Sequence, residues 1–174
     1  MNRELIKSYK EFYYNDMVKY DFPFCTAFPL TKRYTDRSGE NEPKALSLRN
    51  GESFIRKKLL HNIKHDILVR DENNRMKKGI QFYGYYVICK EEKDAHYHAH
   101  VLLNFQERYF DYVKYYIELL TSRDLKRLET KDDQVRMIKY MLRKGNLVID
   151  SDNELLIPTG YNLNVNKDHF ERYN

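Results

Sequence analysis

The sequence predicts an α+β domain with a central, mainly antiparallel sheet of about five strands flanked by helices. Three observations carry this reading. Two strand-like runs, Ile80 to Lys90 and Tyr97 to Phe105, are joined by the short polar segment Glu91 to His96, the signature of a hairpin. Segments on either side of that hairpin place apolar residues three and four apart, as amphipathic helices do. Strand-like and helix-like segments are interspersed along the chain, with no internal repeat or low-complexity tract.

The first helical pattern runs from Glu4 to Lys19, with Leu5, Tyr9, Phe12, Tyr13, Met17 and then Tyr20 at helical spacings; it predicts an extra N-terminal helix over about residues 3–20. Phe22 to Leu30 reads as a strand. Thr31 to Asn50 turns polar, with Ser38-Gly39 and Pro43, and reads as an exposed loop. A second helix is expected from Ser53 to Val69, its buried side carrying Phe54, Ile55, Leu59, Leu60, Ile63, Ile67 and Leu68. Asp71 to Gly79 is a charged turn leading into the hairpin. Beyond it come a helix at about Arg108 to Leu120, a short edge strand near Leu125 to Leu128, and a helix from about Asp132 to Gly145. Asp132 and Asp133 suit the positive N-terminal end of that last helix, and Gly145 suits a left-handed C-terminal cap. The tail from Leu147 onward carries no clear pattern.

A chain of 174 residues, 41% hydrophobic, is the size of one domain, 1–174, with one ordinary core. Thirty-one lysines and arginines against 26 aspartates and glutamates give a net charge of +5, which suits a polyanionic partner without establishing one. Sixteen tyrosines and nine phenylalanines supply core volume first, and stacking surfaces for unpaired bases where they are exposed. Cys25 and Cys89 fit no metal-ligand or redox spacing, so a reducing compartment is expected. The longest apolar run, around Tyr85 to Cys89, is too short to span a bilayer, and the N-terminus lacks a signal core; no membrane association is expected.

The segment from His96 to Phe105 holds the strongest chemistry. On a strand, His96, His98, His100, Leu102 and Asn104 share one face, and Tyr97, Ala99, Val101, Leu103 and Phe105 share the other. Neighbouring histidines then lie roughly 6.6 Å apart along the strand, close enough for two imidazoles to hold one ion. The outer pair, roughly 13 Å apart, is too distant, so a single metal takes His98 with one neighbour. An isolated histidine is ordinarily a satisfied polar residue, but three on one face favour a metal site. Candidate carboxylate ligands are Glu91, at the end of the preceding strand, and Glu92 and Asp94 in the turn. A carboxylate partner shifts the preference toward Mn²⁺ or Mg²⁺.

On the late helix, Val135, Ile138, Met141 and Leu142 form a core stripe that leaves Tyr140 on another side. Its helical neighbours three and four residues away are Arg136, Arg143 and Lys144, so the phenol sits on a cationic face. A phenol with an ordinary pKa near ~10 is a poor nucleophile at neutral pH. Nearby cations and a polarised phosphate lower the barrier to its attack.

Taken together, these residues resemble the HUH endonuclease superfamily, specifically single-tyrosine rolling-circle replication initiators (Rep proteins) of small plasmids and viruses. The resemblance rests on His98-Ala99-His100 followed by Val101-Leu102-Leu103, on Ile88-Cys89-Lys90-Glu91 as the preceding strand end, and on Tyr140 with Arg143 and Lys144-Gly145 after it. Phe24-Cys25-Thr26-Ala27-Phe28-Pro29 loosely matches the family's first motif. The ordered set covers Phe24 to Gly145. Arg143 stands where the family more usually has lysine, a role that Lys144 is placed to share. There is no second tyrosine at helical spacing after Tyr140 and no phosphate-binding loop of a helicase domain.

The resemblance implies an RRM-like or ferredoxin-like HUH fold and a metal-dependent DNA endonuclease and strand transferase. His98, His100 and Glu91 would hold Mn²⁺ or Mg²⁺, and Tyr140 would attack the scissile phosphate with help from Arg143 and Lys144. Arg136, Lys139 and Phe28 would contact the DNA. The expected substrate is the single-stranded hairpin or loop of an origin. A host or replicon helicase is an expected partner, and the protein is expected as a monomer or weak oligomer in the host cytoplasm, or in the nucleus of a eukaryotic host. A transposase or relaxase of the same superfamily is the nearest alternative. A noncatalytic module that binds single-stranded nucleic acid is the alternative from another class.

Overall fold

The computed structural model describes residues 3–35, 41–68, 81–90, 97–144 and 158–163. Helix α1 (Arg3–Met17) leads through a turn at Tyr20 into strand β1 (Phe24–Pro29). Strands β2 (Thr31–Thr35) and β3 (Asn41–Ala45) then pair antiparallel as a separate two-stranded sheet, with Thr31 opposite Ala45 and Thr35 opposite Asn41. The expectation of an exposed loop from Thr31 to Asn50 is therefore corrected. Charged residues and Pro43 hide this hairpin from a pattern search, because it has no apolar alternation to read. Its stem is tied to the main sheet at Leu30, whose N–H donates to the Tyr97 carbonyl and whose carbonyl accepts from the Leu46 N–H.

The second helical segment starts earlier than expected. Helix α2 (Leu48–Ser53) opens with the Ser47 hydroxyl accepting from the Asn50 N–H, and it continues through wider π-helical stretches at Phe54–Leu60 and Ile63–Leu68. Strands β4 (Tyr83–Lys90) and β5 (Tyr97–Asn104) form the expected hairpin, with Tyr83 opposite Asn104 and Lys90 opposite Tyr97. A 3₁₀ turn (Glu107–Tyr109) enters α3 (Phe110–Thr121), and β6 (Lys126–Arg127) and α4 (Lys131–Lys144) follow. From the unpatterned tail, β7 (Thr159–Tyr161) pairs with the outer edge of β4.

The main sheet is antiparallel throughout, in the order β6-β1-β5-β4-β7. Leaving aside β7 and the separate β2–β3 hairpin, the strands follow the chain as β-α-β-β-α-β, with the hairpin strand β5 inserted beside β1, the split arrangement of ferredoxin-like sheets. Alternation along the strands divides the core into two layers. Phe24, Phe28, Ile88, Ala99, Val101 and Leu103 pack with Ile55, Leu59 and Ile63 of the second helical segment and Val113 and Ile117 of α3. On the opposite face, Cys25, Tyr83, Tyr85, Val87 and Leu102 pack with Met17, Phe22, Ile138, Met141 and Leu142. Each fully buried aliphatic side chain contributes roughly 1.5–3 kcal/mol. Ile138 and Met141 thus hold α4 firmly on the face that carries His98 and His100.

Candidate active site

Two local devices fix α4 before any functional residue is considered. The Thr130 hydroxyl accepts from the Asp133 N–H at 3.1 Å, while the Asp133 carboxylate accepts from the Thr130 N–H at 3.1 Å and from its hydroxyl at 2.7 Å. This reciprocal cap satisfies donors that the first helical turn leaves open, and the Thr130 hydroxyl holds the Asp133 carboxyl below its usual range. One turn further on, Gln134 is buried and its side-chain oxygen accepts from the Phe22 N–H at 3.0 Å. Lys131 donates to the Tyr20 carbonyl at 2.7 Å. The start of α4 is thereby pinned to the chain entering β1. A lone glutamine on a helix carries no pattern that marks Gln134 in the sequence, and the stripe residue Val135 beside it is only half-buried.

His98 and His100 are half-buried on the α4 side of β5. On the β1 side their register partners are Pro29 and Ala27, and on the β4 side Cys89 and Val87. Small or compact neighbours at Ala27 and Pro29 leave room above the imidazoles. Tyr140 reaches over that room from α4, still 38% exposed. Its ring meets the His100 ring edge to face, with centroids 5.4 Å apart and planes at 82°. His98, His100 and Tyr140 together line one cleft of about 430 Å³, floored by β1 and β5 and walled by Met137 and Met141.

The cations around the phenol divide into distinct roles. The Arg143 guanidinium lies 5.9 Å from the centre of the Tyr140 ring, over its face. Arg136 is 77% exposed along its side chain and sits 3.8 Å from Asp133. Lys139 lies 5.6 Å over the Tyr14 ring of α1, directed at the helix pair rather than the cleft. The side chain of Lys144 and all of Glu91 lie outside the described residues, as do His96, Glu92 and Asp94.

Phe28 is not available to stack on DNA, which corrects its assignment as a contact residue. It is 2% exposed, belongs to the helical core layer and meets Phe54 edge to face at 6.2 Å. Strand parity explains this: Phe28 shares the face of Phe24, whereas Cys25 and Ala27 share the face of the histidines. The cleft also takes in Arg123 and Asp124 from the connection between α3 and β6 and Lys126 from the start of β6, residues that belong to no sequence motif.

Among the described residues no group of three His, Cys, Asp or Glu side chains is placed to hold a metal ion. His98 and His100 supply two imidazoles that open onto the same cleft, donors suited to first-row divalent ions, and a carboxylate such as Glu91 would complete a three-ligand set with open positions. The donor chemistry therefore fits a divalent ion. Compared with family models, curated proteins and solved structures, the chain matches none.

Proposed function

We propose that the protein is a metal-dependent endonuclease that nicks single-stranded DNA by attack of Tyr140 on the scissile phosphate, as a replication initiator does. The observation that carries this reading is the meeting of the Tyr140 phenol with His98 and His100 in one open cleft. A core tyrosine would have its hydroxyl packed or hydrogen-bonded inward, as Tyr83 and Tyr85 do. Tyr140 instead presents a ring to solvent beside two potential metal ligands and a guanidinium.

In the proposed reaction the Tyr140 oxygen forms a bond to phosphorus while the bond to the 3′ oxygen breaks. The phenolic proton passes to water, the leaving oxygen takes one up, and the products are a free 3′ hydroxyl and a 5′-phosphotyrosyl linkage. Because one phosphodiester replaces another, attack by a 3′ hydroxyl can reverse the step and rejoin strands without a nucleotide cofactor. His98, His100 and Glu91 would hold Mn²⁺ or Mg²⁺, which when bound supplies charge stabilisation at the non-bridging oxygens. Arg143 stabilises the phenolate as it forms, a role Lys144 would share, and Arg136, one turn before Tyr140 on the same helix, would contact the DNA backbone. The substrate would be an exposed origin loop or hairpin, with a host or replicon helicase supplying unwinding in the cytoplasm or nucleus. A transposase or relaxase would share this chemistry and differ in the DNA it cuts.

The test is incubation of labelled single-stranded origin DNA with the protein and Mn²⁺. A covalent protein-DNA adduct that disappears with chelator and in Tyr140→Phe is expected. Binding without any adduct under these conditions overturns the enzyme in favour of a noncatalytic single-strand binding module.

A further inference from the structure

The cleft does not end at the histidines. Its lining runs from β5 across β1 to the connection before β6, strands that are successive neighbours in the sheet. Two strand spacings separate the ends, roughly 10 Å. At the far end stand Arg123 and Lys126, and the chain around them is built to present both.

Helix α3 is stopped by Ser122 in the left-handed conformation, φ 56°, which turns the backbone sharply off the helix axis. The Arg123 N–H is then satisfied by the Thr121 hydroxyl at 3.2 Å, and the buried Leu125 anchors the loop from below. The Thr26 hydroxyl, on the floor strand, donates to the Asp124 carbonyl at 2.9 Å. Asp124 is the one acid among these cleft residues, and its carboxylate is engaged by Lys114 at 3.2 Å. Its negative charge is thus countered locally, leaving the two cations to set the potential of this end.

Strand alternation assigns the two basic residues of β6 to opposite sides. Arg127 pairs with Phe24, lies 3.4 Å over the Phe110 ring and contacts Glu107 at 2.7 Å on the helical side. Lys126 pairs with Cys25 and faces the cleft, close enough for its charge to offset part of the upward push that burial exerts on the Cys25 thiol. Arg127 is a structural cation, and Lys126 is not.

We propose that the connection between α3 and β6, together with the first residue of β6, is a binding site for the phosphodiester backbone of the single strand. Arg123 and Lys126 hold phosphates that neighbour the one offered to Tyr140. This rests on the nuclease reading of the same cleft. The strand crosses the sheet from β5 over β1 to the β6 edge, and the loop fixes its register at the phenol by contacts that read backbone rather than bases.

The experiment uses the full chain carrying Tyr140→Phe and a short fluorescent oligothymidylate, so that binding is read without cleavage. Arg123→Gln and Lys126→Gln should each lower the salt slope of log affinity by about 0.7, the release of one counterion, which corresponds to about fivefold weaker binding at 0.1 M than the parent if the two converge at 1 M. Lys126→Arg should retain the parent slope. Both residues are exposed, and unchanged circular dichroism is expected for all variants. Unchanged slope and affinity in both glutamine variants overturn the site. Charge-dependent binding at this loop, together with no adduct from the unsubstituted tyrosine chain, supports the site and overturns the nuclease reading alone.

Discussion

The edge of one aromatic ring meets the face of the other where Tyr140 of α4 approaches His100 of β5, with centroids 5.4 Å apart. Helix α4 is brought there by Ile138, Met141 and Leu142 packing on Leu102 and its neighbours, one strand position beyond the histidine on the same face. The buried stripe and the exposed phenol are therefore two consequences of one helical register, and disturbing the first should move the second.

Gln134→Ala tests that dependence. It leaves the Phe22 N–H without its buried acceptor, which costs about 1–3 kcal/mol. Urea denaturation should show a loss in that range, and any cleavage should fall more than stability alone requires because the start of α4 loosens. An unchanged midpoint would mean that the Phe22–Gln134 hydrogen bond contributes nothing to docking the helix.

His98→Ala and His100→Ala should each abolish cleavage while lowering stability by no more than about 1 kcal/mol, since both imidazoles are only half-buried. Melting temperature and nicking of the same preparations measure both halves. Normal cutting by both variants would show that the imidazoles are not ligands.

Arg143→Ala and Lys144→Ala should each slow cleavage, by roughly tenfold for the arginine if it stabilises the developing phenolate by about 1.4 kcal/mol. Rates at saturating DNA separate this from weaker binding. An effect confined to Lys144 would place the assisting charge one residue later on the helix.

Alkaline pH should destabilise the fold. Burial pushes the Cys25 thiol up from 9.0 to about 11, and burial together with Asp16 and with Glu52 pushes the Tyr85 and Tyr86 phenols well above 10.0. For such acids the unfolded chain loses its protons first, so stability is fully present below pH 9 and declines as pH rises through 9 to 11 for Cys25 and from 10 upward for the tyrosines. Urea midpoints from pH 8 to 11 should fall; in Cys25→Ser the part of the decline that begins near pH 9 should be absent. A flat profile would contradict the burial of these groups.

Period-two alternation from His96 to Phe105 was enough to assign faces on β5, because Ala99, Val101 and Leu103 can only face a core. The stripe through Ile138, Met141 and Leu142 likewise gave α4 its orientation. What stayed hidden involves residues whose role depends on a partner far along the chain. Gln134 matters through Phe22, Lys126 through its pairing with Cys25, and the β2–β3 hairpin through a backbone tie at Leu30. Phe28 departs from the expected DNA contact because strand parity, counted from Phe24, places it in the core.

The most direct measurement is mass spectrometry of the protein after reaction with single-stranded origin DNA and Mn²⁺, followed by nuclease and protease digestion. A nucleotide joined through its 5′ phosphate to the peptide containing Tyr140 is the expected product. Attachment at an exposed tyrosine away from the cleft, such as Tyr112 or Tyr115, or no attachment while the DNA is still cut, would contradict Tyr140 as the nucleophile.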